Sequence, residues 1–336
     1  MRILLCSYAF RPSIGGIETS SEVLAREFSG MGHDVRVATC SGGGEESEQF
    51  YKVIREPSLL ELFSHYRWAE LVLHNNLSLR LLWPNLLTKK LCFVITQTWL
   101  SGVRNEESPM SRMKRCVLKR CHNVGISNAI AAHVKHPSVI VRNPYDDATF
   151  FCDSSSRKTR DLLFAGRLVS DKGLFTLLHT LKKLTGENLY PSLTVAGDGP
   201  ERLASEALVR ELGLDAQITF TGALKARELA QLMNQHRILV VPSRWDEPFG
   251  IVAVEGIACG CVVVGSRSGG LPEAIGPCGV TFENGSADDL ADRLIALLNS
   301  NSRIDELRAS SAHHLEQFKA SNIASKYLEL FEHALR

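Results

Sequence analysis

The sequence predicts an α/β protein made of two doubly wound, parallel-sheet halves facing across a cleft. Three observations carry that prediction. Short apolar runs alternate with longer amphipathic stretches along the chain. The runs are near-continuously apolar, the pattern of strands covered by helices on both faces. The rhythm breaks once, around 143–160, and then starts again.

In the first half the candidate strands are 3–6, 35–38, 71–74, 92–96, 123–126 and 139–141. Helix-like segments lie between them; in 17–30, Ile17, Leu24, Phe28 and Met31 share one face. Asn143-Pro144 stops an element, because proline pushes the preceding residue out of helical geometry. The stretch 152–159 is polar and aperiodic, as a linker should be. The second half repeats the rhythm, with strands at 162–165, 193–196, 218–220, 238–241, 262–264 and 280–282. The last stretch, 322–336, carries Ile323, Tyr327, Leu330 and Phe331 at helical spacing with no strand after it, and suits a cap on either half. The expected organisation is therefore a first domain over 1–145, a linker over 146–160, a second domain over 161–320 and a final helix over 321–336 that is free to cross back to the first domain.

Composition narrows the class. Of 336 residues, 44% are hydrophobic and 22% charged, which fits a globular chain and excludes collagen, coiled coil and wholesale disorder. No run approaches the roughly 18 apolar residues of a membrane span. The apolar start reaches Arg11-Pro12 quickly and lacks a small-residue cleavage site, so a buried first strand is expected there instead of a signal peptide. Nine scattered cysteines without a CxxC argue against a disulfide framework or zinc knuckle and for a reducing cytoplasm. Net charge is +1, so bulk nucleic-acid binding is not implied. The charge is uneven: residues 1–145 hold 18 Lys and Arg against 12 Asp and Glu, and the remainder 20 against 25. A basic first half suits an anionic surface.

The chemistry-bearing segments sit where strands end. Tyr8 to Glu18 holds Gly15-Gly16 before a helix, which lets backbone N–H groups approach an anion or simply makes a tight turn. Leu162 to Gly173 ends a strand at Gly166 and follows it with Arg167 and Lys172. That pair suits a diphosphate clamp, or a solvated loop. Val195-Ala-Gly197-Asp-Gly199-Pro200 is a base wall or a bare turn. Val241 to Glu255 is the strongest signal. It places Glu247 in a loop, starts a helix near Phe249, and puts Glu255 on that helix among apolar residues, where a carboxylate needs a partner such as vicinal hydroxyls. A capped helix with an internal salt bridge is the plainer alternative. Gly265 to Glu273 adds Gly269-Gly270 after another buried strand.

Taken in order, Gly15-Gly16, Gly166-Arg167, Lys172-Gly173, Gly197-Asp-Gly199, Glu247-Pro-Phe-Gly250 with Glu255, and Gly269-Gly270 resemble the retaining glycosyltransferases of family 4, also called glycosyl transferases group 1. Asn143-Pro144-Tyr145-Asp146 resembles that family's close of the first domain. The resemblance spans nearly the whole chain and is most specific in the second half. It implies the GT-B fold, two Rossmann-like domains with the acceptor on the first and the nucleotide sugar on the second. It implies that Arg167 and Lys172 bind the donor diphosphate, that Glu255 binds the ribose hydroxyls, that Glu247 with the N–H groups of Phe249 and Gly250 holds the transferred sugar, and that Ile251 belongs to the donor site. Gly15, Gly16 and Gly166 would approach the phosphates, and Gly197 and Gly199 would border the base. The implied activity is sugar transfer from a nucleotide-diphosphate sugar, with UDP favoured, to a saccharide or lipid-linked acceptor in cell-surface polysaccharide or glycolipid synthesis. No metal and no other cofactor is implied; Asp146-Asp147 and Asp288-Asp289 look like loop and helix-start residues.

One departure stands out. Family members often carry a His after the strand here spelled Cys92 to Thr96, where this chain has Gln97, Thr98 and Trp99. Thr98 is the counterpart at the sugar or acceptor side, and His74, ending the preceding strand, is a second candidate there or a structural residue. The segment 111–121 carries five cations, with Met113, Val117 and Leu118 on one side. It suits peripheral docking on an anionic membrane from the cytoplasm, or a solvated helix face. Two other functions fit less well: a non-hydrolysing nucleotide-sugar epimerase, and a nucleotide-sugar-binding protein without turnover. A nicotinamide dehydrogenase is disfavoured by the missing GxGxxG.

Overall fold

The structure, a computed structural model, describes residues 1–13, 15–43, 50–100 and 108–336. It divides into two units, one formed by Met1–Asp146 with Phe318–Arg336 and the other by Asp147–Gln317. Each unit is a parallel sheet with helices between its strands.

The first unit holds β1 (Arg2–Ser7), β2 (Asp34–Thr39), β3 (Lys52–Arg55), β4 (Leu71–Asn75), β5 (Leu91–Thr96), β6 (His122–Gly125) and β7 (Ser138–Ile140). Their order is β3-β2-β1-β4-β5-β6-β7, all parallel. The second holds β8 (Arg160–Ala165), β9 (Leu193–Ala196), β10 (Ile218–Gly222), β11 (His236–Val241), β12 (Val262–Ser266) and β13 (Gly279–Phe282), in the parallel order β10-β9-β8-β11-β12-β13. Winding reverses between β1 and β4 in the first sheet and between β8 and β11 in the second. Loops leave those neighbouring strands towards opposite faces, and in open α/β sheets ligands bind at that point, beyond the carboxyl ends.

The strands form because their residues are apolar on both faces. Ile3, Leu4, Leu5 and Cys6 in β1 and Val262, Val263 and Val264 in β12 are all fully buried. Strand β3 was not expected: only Val53 and Ile54 are apolar between Lys52 and Arg55, too short a run to register by pattern. The helix Gly16–Gly30 buries Val23, Leu24 and Phe28, but Met31 lies beyond its last residue and is exposed.

The linker boundary differs from the sequence reading. The stretch after Asp146 groups with the second unit instead of hanging between two bodies. Within it, Asp153 N–H donates to Asn234 Oδ1 (2.8 Å), and Asn234 Nδ2 donates to the Phe151 carbonyl (2.9 Å). Lys158 reaches inward, and its ammonium donates to the carbonyls of His236 and Cys259, both at 2.9 Å. Burial pushes that ammonium's pKa down. Local periodicity misses such ties because they are made by backbone groups and one long side chain. The final helix, Ala320–Leu335, packs on the first unit through Ile323, Ala324, Tyr327 and Phe331, one face at i, i+4 and i+8 spacing. The Phe331 ring lies 4.8 Å from Phe93 and 5.8 Å from Phe28.

Two histidines are locked into the sheets as neutral rings. His74 in β4 is fully buried with Nε2 2.9 Å from the Tyr66 hydroxyl. His236 in β11 has Nε2 2.9 Å from Thr194 Oγ1 and Nδ1 2.6 Å from the Leu232 carbonyl. Burial pushes His74 down to about 3 and His236 down to about 4.

Two outcomes follow for stability. Phe331→Ala should cost about 3–5 kcal/mol, the usual range for deleting a buried aromatic ring, measured by urea unfolding. A loss under about 1 kcal/mol would remove the final helix from the core of the first unit. Both histidine values are depressed in the folded state, so the unfolded chain takes up protons first as pH falls. Unfolding free energy should therefore drop below about pH 6.5, by up to about 1.4 kcal/mol per pH unit for each ring. A flat profile between pH 7 and 5 would contradict neutral, buried rings.

Candidate functional site

The second unit assembles its candidate side chains around the β8/β11 reversal. Strand β8 ends at Ala165; Gly166 and Arg167 follow, and the short turn Ser170–Lys172 then brings the Lys172 side chain towards the loop after β11. Lys172 Nζ donates to Glu247 Oε1 at 2.5 Å. Ser243 Oγ donates to the same oxygen at 2.6 Å. Glu247 is 8% exposed and Ser243 is 1% exposed, so the carboxylate and the hydroxyl are largely withdrawn from water, while Lys172 stays half-buried at the rim. A carboxylate there is tolerable because an ammonium and a hydroxyl both face it. Arg167 is exposed in the same loop, where a guanidinium remains available to an anion.

Backbone contacts fix this geometry. The Asp171 carbonyl accepts from Arg244 N–H (2.8 Å) and Trp245 N–H (3.2 Å), tying the loop after β8 to the loop after β11. The Glu247 carbonyl accepts from Gly270 N–H at 2.7 Å, tying the same loop to the one after β12. Gly269, at φ 59°, passes so close that an added Cβ would lie 2.2 Å from the Glu247 carbonyl oxygen. Only glycine meets both conditions there.

The remaining donor-side candidates lie on the same edge. Gly166 N–H donates to the Ala196 carbonyl (3.0 Å), and Gly197 N–H to the Gly222 carbonyl (2.8 Å). Gly199 N–H points at Asp198 Oδ1 (2.7 Å). The helix expected near Phe249 begins later, as Ile251–Ala258, because Gly250 at φ 96° lies outside helical geometry. Phe249 is buried in the loop, and no side chain caps the helix at Gly250. The N–H groups of that first turn are thus the positive end of the helix dipole. Glu255 lies one turn further in and is buried.

The first unit holds the other candidates. Gly15 precedes the helix Gly16–Gly30, whose first turn carries Glu18. An added Cβ on Gly15 would meet the Glu18 carboxylate at 2.5 Å, so the protein's own anion lies at this helix end. Of the two readings of His74, the structure supports the structural one: the ring is completely buried, with Nε2 2.9 Å from the Tyr66 hydroxyl. Thr98 is half-buried beyond β5. Its neighbour Gln97, passed over in the sequence, is the structurally committed residue. Gln97 Nε2 donates to Asn75 Oδ1 (2.7 Å) and Asn143 Oδ1 (2.8 Å), and Asn143 Nδ2 donates back to Gln97 Oε1 (2.7 Å). Asn75 Nδ2 continues the network to Ser21 Oγ (2.6 Å). Ser243 was likewise missed, although Pro242-Ser243 four residues before Glu247 in a strand-end loop is a readable signal.

The cationic segment forms the helix Pro109–Leu118, capped by Ser108. Leu118 is buried, Val117 half-buried and Met113 exposed, so the three do not make one buried side. Arg115 is turned inward to the carbonyls of His133 (2.9 Å) and Val134 (3.0 Å). Among the described residues no helix is long and apolar enough to cross a membrane, and no cluster of three His, Cys, Asp or Glu side chains is placed to hold a metal.

Residues 148–314 match the family model described as glycosyl transferases group 1. A D-inositol 3-phosphate glycosyltransferase of Streptomyces bingchenggensis is 33% identical over 187 residues, 52% of this chain and 40% of that protein. An N-acetyl-alpha-D-glucosaminyl L-malate synthase of Bacillus anthracis is 33% identical over 149 residues, 43% of this chain and 38% of that protein. The chain thus spans less than half the length of these two curated relatives. Among solved structures, Anabaena HepE in complex with UDP and glucose superposes with a TM-score of 0.81 at 18% identity, covering 99% of each chain. WaaG, a glycosyltransferase involved in lipopolysaccharide biosynthesis, gives 0.71 at 18% identity, covering 98% of this chain and 99% of that one. The two units are accordingly Rossmann-like units of the GT-B fold.

The bracing of Glu247 is testable through stability. Gly269→Ala should cost more than Gly213→Ala, which shares a left-handed φ of 69° but has nothing within 4 Å of the new methyl. The control should lose about 1–2 kcal/mol from backbone geometry alone. Equal losses in urea unfolding would mean that Gly269 does not press on the Glu247 backbone.

Proposed function

Residues 148–314 belong to the glycosyl transferases group 1 family, and on that premise we propose that the chain transfers a sugar from a nucleotide-diphosphate sugar to an acceptor hydroxyl with retention at the anomeric carbon. The observation that carries the proposal is the convergence of Arg167, Lys172, Glu247 and the helix start at Ile251, which no side chain caps, around one sheet reversal. In this reading Arg167 and Lys172 grip the diphosphate and stabilise the charge that develops as the bond from the anomeric carbon to the phosphate oxygen breaks. The acceptor oxygen forms the new bond on the same face, and its proton passes to the departing phosphate. Glu247, with the N–H groups of Phe249 and Gly250, holds the sugar, and Glu255 takes the ribose hydroxyls. Gly166 lies along the phosphates, and Gly197 and Gly199 along the base.

UDP is the favoured nucleotide. HepE was solved with UDP and glucose, and the pneumococcal O-GlcNAc transferase GtfA with UDP and GlcNAc. The chemistry assigned to the two cations and the helix end is the part a divalent metal would otherwise play, so turnover is proposed to be metal-independent. The acceptor is a saccharide or lipid-linked hydroxyl, within polysaccharide or glycolipid synthesis. The Lys172–Glu247 pair also implies an exchange on binding: the diphosphate takes over the ammonium, and Glu247 turns to the sugar hydroxyls.

Calorimetry with UDP, GDP and ADP tests the donor assignment. UDP is expected to bind, and at 100 times its Kd it should add about 2.7 kcal/mol of stability. Arg167→Ala and Lys172→Ala should each lower turnover by two or more orders of magnitude, about 2.7–4 kcal/mol of lost charge stabilisation. Glu255→Ala should chiefly weaken nucleotide binding. Binding of no nucleotide, or near-normal turnover in both cation variants, would reject the assignment. EDTA should leave the rate unchanged; activity lost to EDTA and restored by magnesium would overturn the metal-free reading.

A further inference from the structure

The first unit contains a cavity of about 410 Å³ at its own sheet reversal, between the loop after β1 and the loop after β4. That volume lies in the range of small-molecule sites, about 300–1,000 Å³. Its walls are mostly apolar, with Ile17, Leu77, Leu79 and Met110 on the lining. Among the described residues its single charged lining residue is Lys114, and no Asp or Glu lines it.

Lys114 stands on the helix Pro109–Leu118, where the other inward-turned cation, Arg115, is already committed to backbone carbonyls. Among the described residues no hydrogen bond or ion pair engages the Lys114 ammonium, and the side chain is half-buried. An ammonium beside apolar walls sees a lower dielectric than one in open water, so its pairing with an anion is strengthened. The floor is rigid. The Asn75 side chain bonds to Ser20 and Ser21 and is held by Gln97, which in turn is locked to Asn143. The cavity therefore presents one unpaired cation over a fixed, mainly apolar surface, in the half of the sequence with the excess of Lys and Arg.

We propose that this cavity selects an acceptor that carries an anionic group, a phosphate or a carboxylate, through Lys114, with the acceptor body lying against Ile17, Leu79 and Met110. The word acceptor rests on the transfer reading above; the organic-anion site does not. The anionic group could belong to a soluble compound or to a lipid headgroup, and the recognition chemistry is the same.

The test uses the full chain with saturating UDP and paired probes: glycerol against glycerol 3-phosphate, and inositol against inositol 1-phosphate, by ligand-observed NMR. Phosphatidylglycerol vesicles against phosphatidylcholine vesicles, by co-sedimentation, form the lipid arm. At least one anionic probe is expected to bind tenfold or more tightly than its neutral partner. Lys114→Ala should abolish that preference and Lys114→Arg should keep it, with thermal midpoints confirming that both variants fold. A preference among the soluble pairs identifies a soluble acceptor class, and one confined to vesicles identifies a headgroup. No anionic preference in any pair, or one that survives Lys114→Ala, overturns the inference. UDP binding without that preference leaves the transfer reading standing. A Lys114-dependent preference without nucleotide binding leaves the anion site standing and removes the transfer reading.

Discussion

Each sheet reverses its winding once, and the candidate site of each unit is built on that reversal. Parallel strands all deliver their carboxyl ends to one edge. Where the winding reverses, adjacent loops part to opposite faces and leave a crevice with backbone groups on its rim. In the second unit that crevice is bounded by the loops carrying Lys172 and Glu247. In the first it is the cavity lined by Ile17, Asn76 and Lys114. One topological rule thus places a cation–carboxylate pair in one unit and a lone cation over apolar walls in the other.

Position alone does not hold a side chain to within a fraction of an ångström. In the second unit precision comes from backbone pairing between loops: Asp171 with Arg244 and Trp245, and Glu247 with Gly270. The side chains then need few degrees of freedom. Glu247 is held by Lys172 and Ser243, which both donate to its Oε1. In the first unit the same task falls to side-chain amides, with Gln97, Asn75 and Asn143 bonded to one another below the cavity. Buried amide networks are rigid when every group is satisfied, so the two units reach preorganisation by different means.

Much of this was legible in the sequence, for a physical reason. Strands buried on both faces must be apolar throughout, so runs such as Val262-Val263-Val264 declare themselves. Strand β3 did not, because an edge strand of four residues needs only Val53 and Ile54 to be apolar. Gly269-Gly270 and the Glu247 to Glu255 segment stood out because close backbone approach and a carboxylate among apolar residues are costly unless something requires them. What stayed hidden depends on partners distant in the chain. Ser243 and Gln97 look ordinary until the fold brings Glu247 and Asn143 to them. His74 read as either a site or a structural residue because it ends a strand beside such a loop, and only the fold shows Tyr66 at its ring nitrogen. The ties of Lys158 to carbonyls of the second unit likewise leave no local pattern.

The most direct test of this account is hydrogen exchange of the full chain with and without UDP, read residue by residue. Protection is expected to concentrate in 166–173, 197–199 and 242–255, the loops gathered at the β8/β11 reversal, with Lys172→Ala reducing it. Protection confined to segments away from those strand ends, with the three loops unchanged at saturating UDP, would contradict the claim that the second reversal is the nucleotide site.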